Sequence, residues 1–302
     1  MNDIEVLKLK NIRLAALDLD GTVLTNDKRL TARTAAAIEQ ASANGTEVVF
    51  VTGRPFFGVP DELRQLKGVR YIISSNGAVV TELSGAAEMP GTSELSGAAE
   101  MPGAARTIYS ALLDRRTAAD ITLEVLRRGL LYSVYTGGLG WCDPKCFAGR
   151  LDPYIGTPIE DYIRQSVRQA EDIFAVVRKA PQAPENIWIQ EKSTAARDEL
   201  HELIKRSWKV NTVVTSPTDI EIGSTSAGKG RALTWLAAKL GITRDQMLAM
   251  GDNFNDLEMF EASGVAAAMG NSPAAIREAA DLVAPSNEMD GVAAVLECIG
   301  VV

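Results

Sequence analysis

Two aspartates stand two residues apart in Asp18-Leu19-Asp20-Gly21-Thr22, directly after an apolar run. In extended chain, side chains at i and i+2 share a face, so both carboxylates project toward one site while Leu19 points away. A pair so placed suits two jobs at one centre: a carboxylate nucleophile and a proton donor and acceptor. A second acidic group follows far along the chain, Gly251-Asp252 with Asn255-Asp256 beyond it. Three carboxylates converging with no cation would repel one another. An oxygen-only donor set of this kind suits magnesium, which takes a few carboxylates together with water and substrate phosphate. A lysine adds to the phosphate chemistry. Residues 223–229 spell G-x-x-x-x-G-K, the opening of a nucleotide-binding P-loop. That motif needs Ser or Thr next, for its hydroxyl, and here the residue is Gly230.

These residues need elements to position them. The run at 12–17 reads as a strand buried on both faces, as do 47–51, 71–74 and 246–250. A helix is expected at about 31–43, closed by Asn44-Gly45. Strands alternating with helices imply a doubly wound, mostly parallel α/β sheet. Such sheets bind ligands just past the carboxyl ends of their strands. Four of the expected ends carry polar groups: Asp18 to Thr22, Thr52-Gly53-Arg54, Ser75-Asn76-Gly77 and Gly251-Asp252. Between the halves, residues 106–216 read as a separate α+β unit. Its expected order is strand 106–112, helix 117–128, strand 130–136, helix 158–169, strands 172–178 and 186–190, helix 193–206 and strand 209–215. The division expected is 1–84 and 217–302 for the core, with 85–216 as the insert. At the junction ELSGAAEMPG occurs twice, at 82–91 and 94–103, a period too short and too few in copies for a solenoid.

Composition narrows the functional classes. The chain has 302 residues, 46% hydrophobic and 23% charged, as in ordinary globular proteins. A net charge of -8 argues against nucleic acid as the main partner. The three cysteines, Cys142, Cys146 and Cys298, make no disulfide framework, and with His201 the one histidine they complete no convincing zinc site. No run approaches the ~18 apolar residues of a membrane span. The first fourteen residues lack the apolar core and cleavage pattern of a secretory leader, so a cytoplasmic location is expected.

Together the motifs resemble those of the haloacid dehalogenase-like phosphatases. DLDGT at 18–22 resembles their nucleophile motif and VTGR at 51–54 their second. Lys229 resembles the lysine of the third, although Ser226-Ala227-Gly228 departs from the usual Gly-Val-Ser approach. GDNFNDLEM at 251–259 resembles the fourth. Order and spacing are those of the Cof-type subgroup, whose α+β cap of the C2B type is inserted between the second and third motifs. The resemblance implies a Rossmann-like doubly wound core with an inserted α+β cap domain. It also implies a magnesium-dependent phosphatase of small phosphorylated metabolites such as sugar phosphates. On this reading Asp18 is the nucleophile, Asp20 the acid and base, and Lys229 a contact to the phosphoryl group and to Asp18. Asp18, Asp20 (through its carbonyl) and Asp252 hold Mg2+. Thr52, Gly53 and Asn255 bind the phosphoryl group. Asn76 reads either as a substrate contact or as the residue of an Asn-Gly turn. Asp256 reads either as a partner of Lys229 or of the metal waters, or as a helix N-terminal carboxylate. Arg54 contacts substrate or closes an ion pair. Trp141, in a Gly-rich stretch of the cap, stacks on a sugar or fills the cap core. A sugar phosphomutase, a P-loop nucleotide-binding protein and a non-catalytic regulator on the same fold are the alternatives.

Overall fold

A computed structural model describes residues 11–83 and 105–299. All but the first two residues of the tandem ELSGAAEMPG copies lie outside them. The strands are β1 (Leu14–Leu17), β2 (Glu47–Val51), β3 (Tyr71–Ser74), β4 (Val79–Leu83), β5 (Ala105–Ser110), β6 (Leu131–Thr136), β7 (Leu139–Cys142), β8 (Val167–Gln169), β9 (Asn186–Gln190), β10 (Asn211–Val214), β11 (Asp219–Gly223), β12 (Met247–Gly251), β13 (Val265–Ala268) and β14 (Leu282–Val283).

They form two sheets. The larger runs β14-β13-β12-β1-β2-β3-β4-β5 and is parallel from β14 to β3, with β4 and β5 added antiparallel. The order doubles back at β1, which pairs β12 on one side and β2 on the other. At such a reversal an open α/β sheet leaves a crevice outside the carboxyl ends of its strands. The apolar runs are continuous because both faces are covered. Ala15 and Leu17 enter one core cluster, and Leu14 and Ala16 enter the other. The helix Ala32–Ala43, capped by the Thr31 side chain on the Thr34 amide, covers the first face. The helix Lys229–Leu240 covers the second through Ala232, Leu233 and Leu236.

The smaller sheet runs β10-β11-β9-β6-β7-β8 and has its own core of Ile121, Val125, Tyr132, Val134, Ile187, Ile189 and Ile220. Both buried cysteines of the insert, Cys142 and Cys146, belong to that core.

Several elements differ from the sequence reading. The strand expected at 106–112 lies in the larger sheet as β5, since its backbone groups pair with β4. Residues 219–222, expected to lead straight into the Lys229 helix, instead join the smaller sheet as β11 between β9 and β10. The apolar run 172–178 is a helix, Ile173–Lys179. Asp172 caps its Ala175 amide, and the buried Ile173 and Val177 are four apart. The helix expected to reach 169 stops at Ser166, and 167–169 form β8 beside β7. Trp141 sits on β7, after a tight Gly137-Gly138 turn with φ of 61° and 77°. A two-residue hairpin turn with both φ values positive favours glycine, which adopts them at no steric cost.

Candidate active site

The loops after β1, β2, β3 and β12, with the first turn of the Lys229–Leu240 helix, meet at one end of the large sheet. Asp18 leaves β1, and its amide still bonds to Met250 O at 3.0 Å, which holds it level with the end of β12. It is 5% exposed. Lys229 is 2% exposed, and its Nζ donates to Asp18 Oδ1 at 2.7 Å and to Asp256 Oδ1 at 2.6 Å. The other oxygen of Asp256 accepts the amides of Asp252 and Asn253, at 2.9 and 3.0 Å. Asp256 is therefore both the partner of Lys229 and the clamp on the loop that carries Asp252. One carboxylate performs the two roles that sequence left open between.

Asp18, Asp252 and Asp256 each bring a carboxylate oxygen to within 4.8 Å of the others. The Asp252 carboxylate also rests on the Gly21 backbone. A Cβ at Gly21 would stand 2.3 Å from Asp252 Oδ2, so a side chain there would displace it. Against three negative charges this locus holds one cation, Lys229. Burial, outweighing the attraction of Lys229 and joined by repulsion from Asp256 and Asp252, raises the Asp18 carboxyl well above its ordinary range. Burial and Asp256 push Asp252 up to about 7. Burial opposes the charge on Lys229, but Asp18 and Asp256 outweigh it and hold the ammonium above its usual range. An excess of two negative charges, presented by oxygen donors alone, could accommodate a hard divalent cation.

Asp20 is arranged differently. Arg54 Nε and Nη2 grip its two oxygens at 2.7 Å each, and Lys28 Nζ adds a third contact at 2.8 Å. Burial disfavours the Asp20 charge, yet Arg54 and then Lys28 hold the carboxyl well below its usual range. Arg54 is itself 9% exposed, donates to Gly58 O at 2.8 Å, and lies 4.7 Å from the centre of the Tyr162 ring of the insert. The ion pair of Arg54 is thus made with Asp20 and is buried on the arginine side, the Asp20 side chain being 38% exposed.

The remaining residues line the approach. The Thr52 side-chain oxygen accepts the Arg54 amide at 3.1 Å. Asn76, with φ of 51°, accepts Asn255 Nδ2 at 3.3 Å through its oxygen and donates to Glu221 on β11. It is both the residue of a turn and a bridge from the large sheet to the insert. Gly77 follows at φ 84°, where a Cβ would meet Gly228 O at 2.1 Å, so only glycine lets these two loops touch. Gly230 has no space for a side chain either: its Cβ would lie 2.1 Å from Glu258 O. A P-loop hydroxyl therefore has no place after Lys229, whose ammonium is already committed to two carboxylates.

Above these residues is a cavity of about 650 Å³, of the size that takes small molecules. Its floor includes Asp18, Asp20, Thr52, Gly53, Asp252 and Asn255, and its roof Tyr135, Arg150, Trp188, Gln190 and Glu221 from the insert. Trp141 faces a different, smaller space of about 370 Å³ between the two sheets. Sequence reasoning missed the roof. A signal for part of it was present in Asp219-Ile-Glu-Ile222, where acidic and buried apolar residues alternate and place Asp219 and Glu221 on one face.

Comparison with known proteins identifies the family. Residues 15–90 and 103–296 match the family model of haloacid dehalogenase-like hydrolases. The chain belongs to that family. The twelve residues between the matched segments equal one period of the tandem repeat. Phosphatase YwpJ of Bacillus subtilis (strain 168) is 28% identical over 299 residues, 93% of this chain and 98% of the relative. The pyridoxal phosphate phosphatase YbhA of Escherichia coli (strain K12) is 27% identical over 289 residues, 93% of this chain and 96% of the relative. A solved haloacid dehalogenase-like hydrolase from B. subtilis superposes with a TM-score of 0.77 at 26% identity, covering 95% of this chain and 99% of that one. The protein is a hydrolase of this family, and these two relatives are named as phosphatases. No described helix is long and apolar enough to cross a membrane.

Proposed function

We propose that this hydrolase cleaves phosphate monoesters of small metabolites, sugar phosphates among them, with magnesium as cofactor and Asp18 as the transiently phosphorylated group. The observation that carries this reading is the Lys229 ammonium bridging Asp18 and Asp256 at the base of a cavity that the insert roofs. Lys229 orients Asp18 and offers its charge to the phosphoryl oxygens. The Thr52 hydroxyl and the Gly53 amide bind the same group, and Asn255 reaches it from the opposite loop. Asp18 attacks phosphorus in line with the ester oxygen, which departs as an alcohol once Asp20 gives it a proton. Water then attacks phosphorus with Asp20 as base, releasing phosphate and restoring the Asp18 carboxylate. Held by Arg54 and Lys28, Asp20 is ionised and ready to accept a proton, so its turn as acid requires it to leave Arg54. Asp18, the Asp20 carbonyl and Asp252 would hold magnesium, which neutralises phosphoryl charge when bound. A relative named for pyridoxal phosphate supports small phosphorylated metabolites as the substrate class.

The test is a panel of phosphorylated metabolites assayed with magnesium and without any bisphosphate activator, wild type beside Asp18→Asn. Phosphate release by the wild type should fall by at least about 10⁴-fold in the variant, as when a covalent nucleophile is removed. Comparable turnover by a folded Asp18→Asn protein would refute the assignment. Turnover that appears only with a bisphosphate would turn the reading to a mutase.

A further inference from the structure

Three arginines are buried in the described residues: Arg54, Arg150 and Arg197. Arg54 has Asp20 at 2.7 Å and Arg197 has Asp198 at 2.8 Å. Arg150 is 7% exposed, and among the described residues no carboxylate pairs with it. It stands near the end of the helix Pro144–Leu151, donates through Nη1 to Ser133 Oγ, and lays its guanidinium carbon 4.0 Å from the centre of the Trp188 ring. Arg150 and Trp188 line the same cavity as Asp18, with Lys192 at the exposed rim. Of the acids that share the cavity roof, Glu221 feels the Arg150 charge, which favours its ionised form, but makes no ion pair with it, and both roof acids are held by neutral donors. Glu221 accepts from Asn76 and Asn186, and Asp219 accepts from Gln190 and Thr218.

A buried guanidinium with no carboxylate in contact is costly unless something else supplies the charge. Trp188 backs the guanidinium, Ser133 and Tyr135 take part of the fork, and the donors that these neutral partners leave suit a planar or multi-oxygen anion, the geometry arginine binds best. We propose that the insert carries a second anion subsite built on Arg150, with Lys192 steering at its mouth. The substrate accordingly bears two anionic groups. One is the phosphoryl group over Asp18, and the other is a phosphate or a carboxylate on the departing alcohol. This inference rests on the proposed phosphatase reading for what lies over Asp18.

Equilibrium binding to the full-length Asp18→Asn protein with magnesium, measured by calorimetry, tests it apart from turnover. The probes are glycerol 3-phosphate, 3-phosphoglycerate and fructose 1,6-bisphosphate. The doubly anionic probes should bind at least about tenfold tighter than glycerol 3-phosphate, the size of one charge-assisted contact. The stronger of the two identifies carboxylate or phosphate as the second group. Adding Arg150→Met should reduce that preference to about twofold or less, and Arg150→Lys should retain part of it, which a merely structural stack on Trp188 would not produce. Equal affinities for all three probes, or a preference untouched in a folded Arg150→Met protein, would overturn the proposal. Preferential binding by a wild type that hydrolyses none of the probes would count against the phosphatase reading and leave the subsite standing.

Discussion

Lys229→Met separates the two services that the buried lysine performs. Its ammonium makes two contacts, 2.7 Å to Asp18 and 2.6 Å to Asp256, and the three side chains are 1%, 7% and 0% exposed. Methionine keeps the length and apolar stem and removes the charge. Three carboxylates then face one another with no resident cation. Breaking a buried ion pair from one side costs about 3–5 kcal/mol, because the partner charges stay buried and unpaired. For a chain of this size that is a fall in Tm of the order of 10 °C. Magnesium should recover part of it by supplying the missing positive charge. Catalysis should fall further, by about 10²–10³-fold in kcat, as when one preorganised charge-stabilising donor is lost. The double variant Lys229→Met/Asp256→Asn discriminates the two services. Its amide oxygen can still accept the Asp252 and Asn253 amides, and one repelling charge is gone, so much of the stability should return while activity stays low. Differential scanning fluorimetry with and without magnesium, beside phosphate-release kinetics, reads both quantities. A single variant as stable as wild type and active within threefold would refute the bridging role. A double variant no more stable than the single one would refute the charge-balance argument.

Magnesium removal should abolish phosphate release and lower Tm in the wild type, with a smaller Tm effect in Asp252→Asn; calorimetric titration of both with magnesium checks this. Glu221 is raised to about 7, by burial above all. A carboxyl that titrates higher in the folded chain contributes stability below the unfolded value near 4.5 that is lost as pH rises through about 7. Glu221→Gln should therefore match wild type near pH 5 and exceed it at pH 8 by about 1–3 kcal/mol, read from Tm across that range. Equal stabilities at pH 8 would refute the burial argument. Gly230→Ser restores the P-loop spelling but must push its Cβ against Glu258 O, so it should cost about 1–3 kcal/mol and gain no ATP binding, checked by thermal melts with and without ATP.

The chain itself dictates the large sheet and its reactive rim. Runs such as Leu14–Leu17 and Met247–Gly251 are apolar at every position, which only a strand covered on both faces requires, and polar groups cluster where those runs stop. Local spacing places Asp18 beside Asp20, and the motif order ties Lys229 and Asp252 to the same rim. The insert is harder to read because its elements are short and half covered. Ile173–Lys179 is apolar enough for a strand, and only the Asp172 cap and the packing of Ile173 and Val177 make it a helix. β5 and β11 change sheets relative to sequence order because strand pairing satisfies backbone groups of partners distant in the chain, and side-chain pattern does not name the partner. Side-chain partnerships across the cavity were likewise decided in three dimensions. Nothing local to Arg54 points to Asp20, nothing local to Asn76 points to Glu221, and nothing local to Arg150 shows that it is buried with no ion-pair partner in contact. Sequence determines which chemical groups stand at the ends of the strands, because periodicity and burial are properties of a few neighbouring residues. Tertiary structure decides which of those groups neutralise one another and which are left to a ligand, because charges interact through space whatever their separation along the chain.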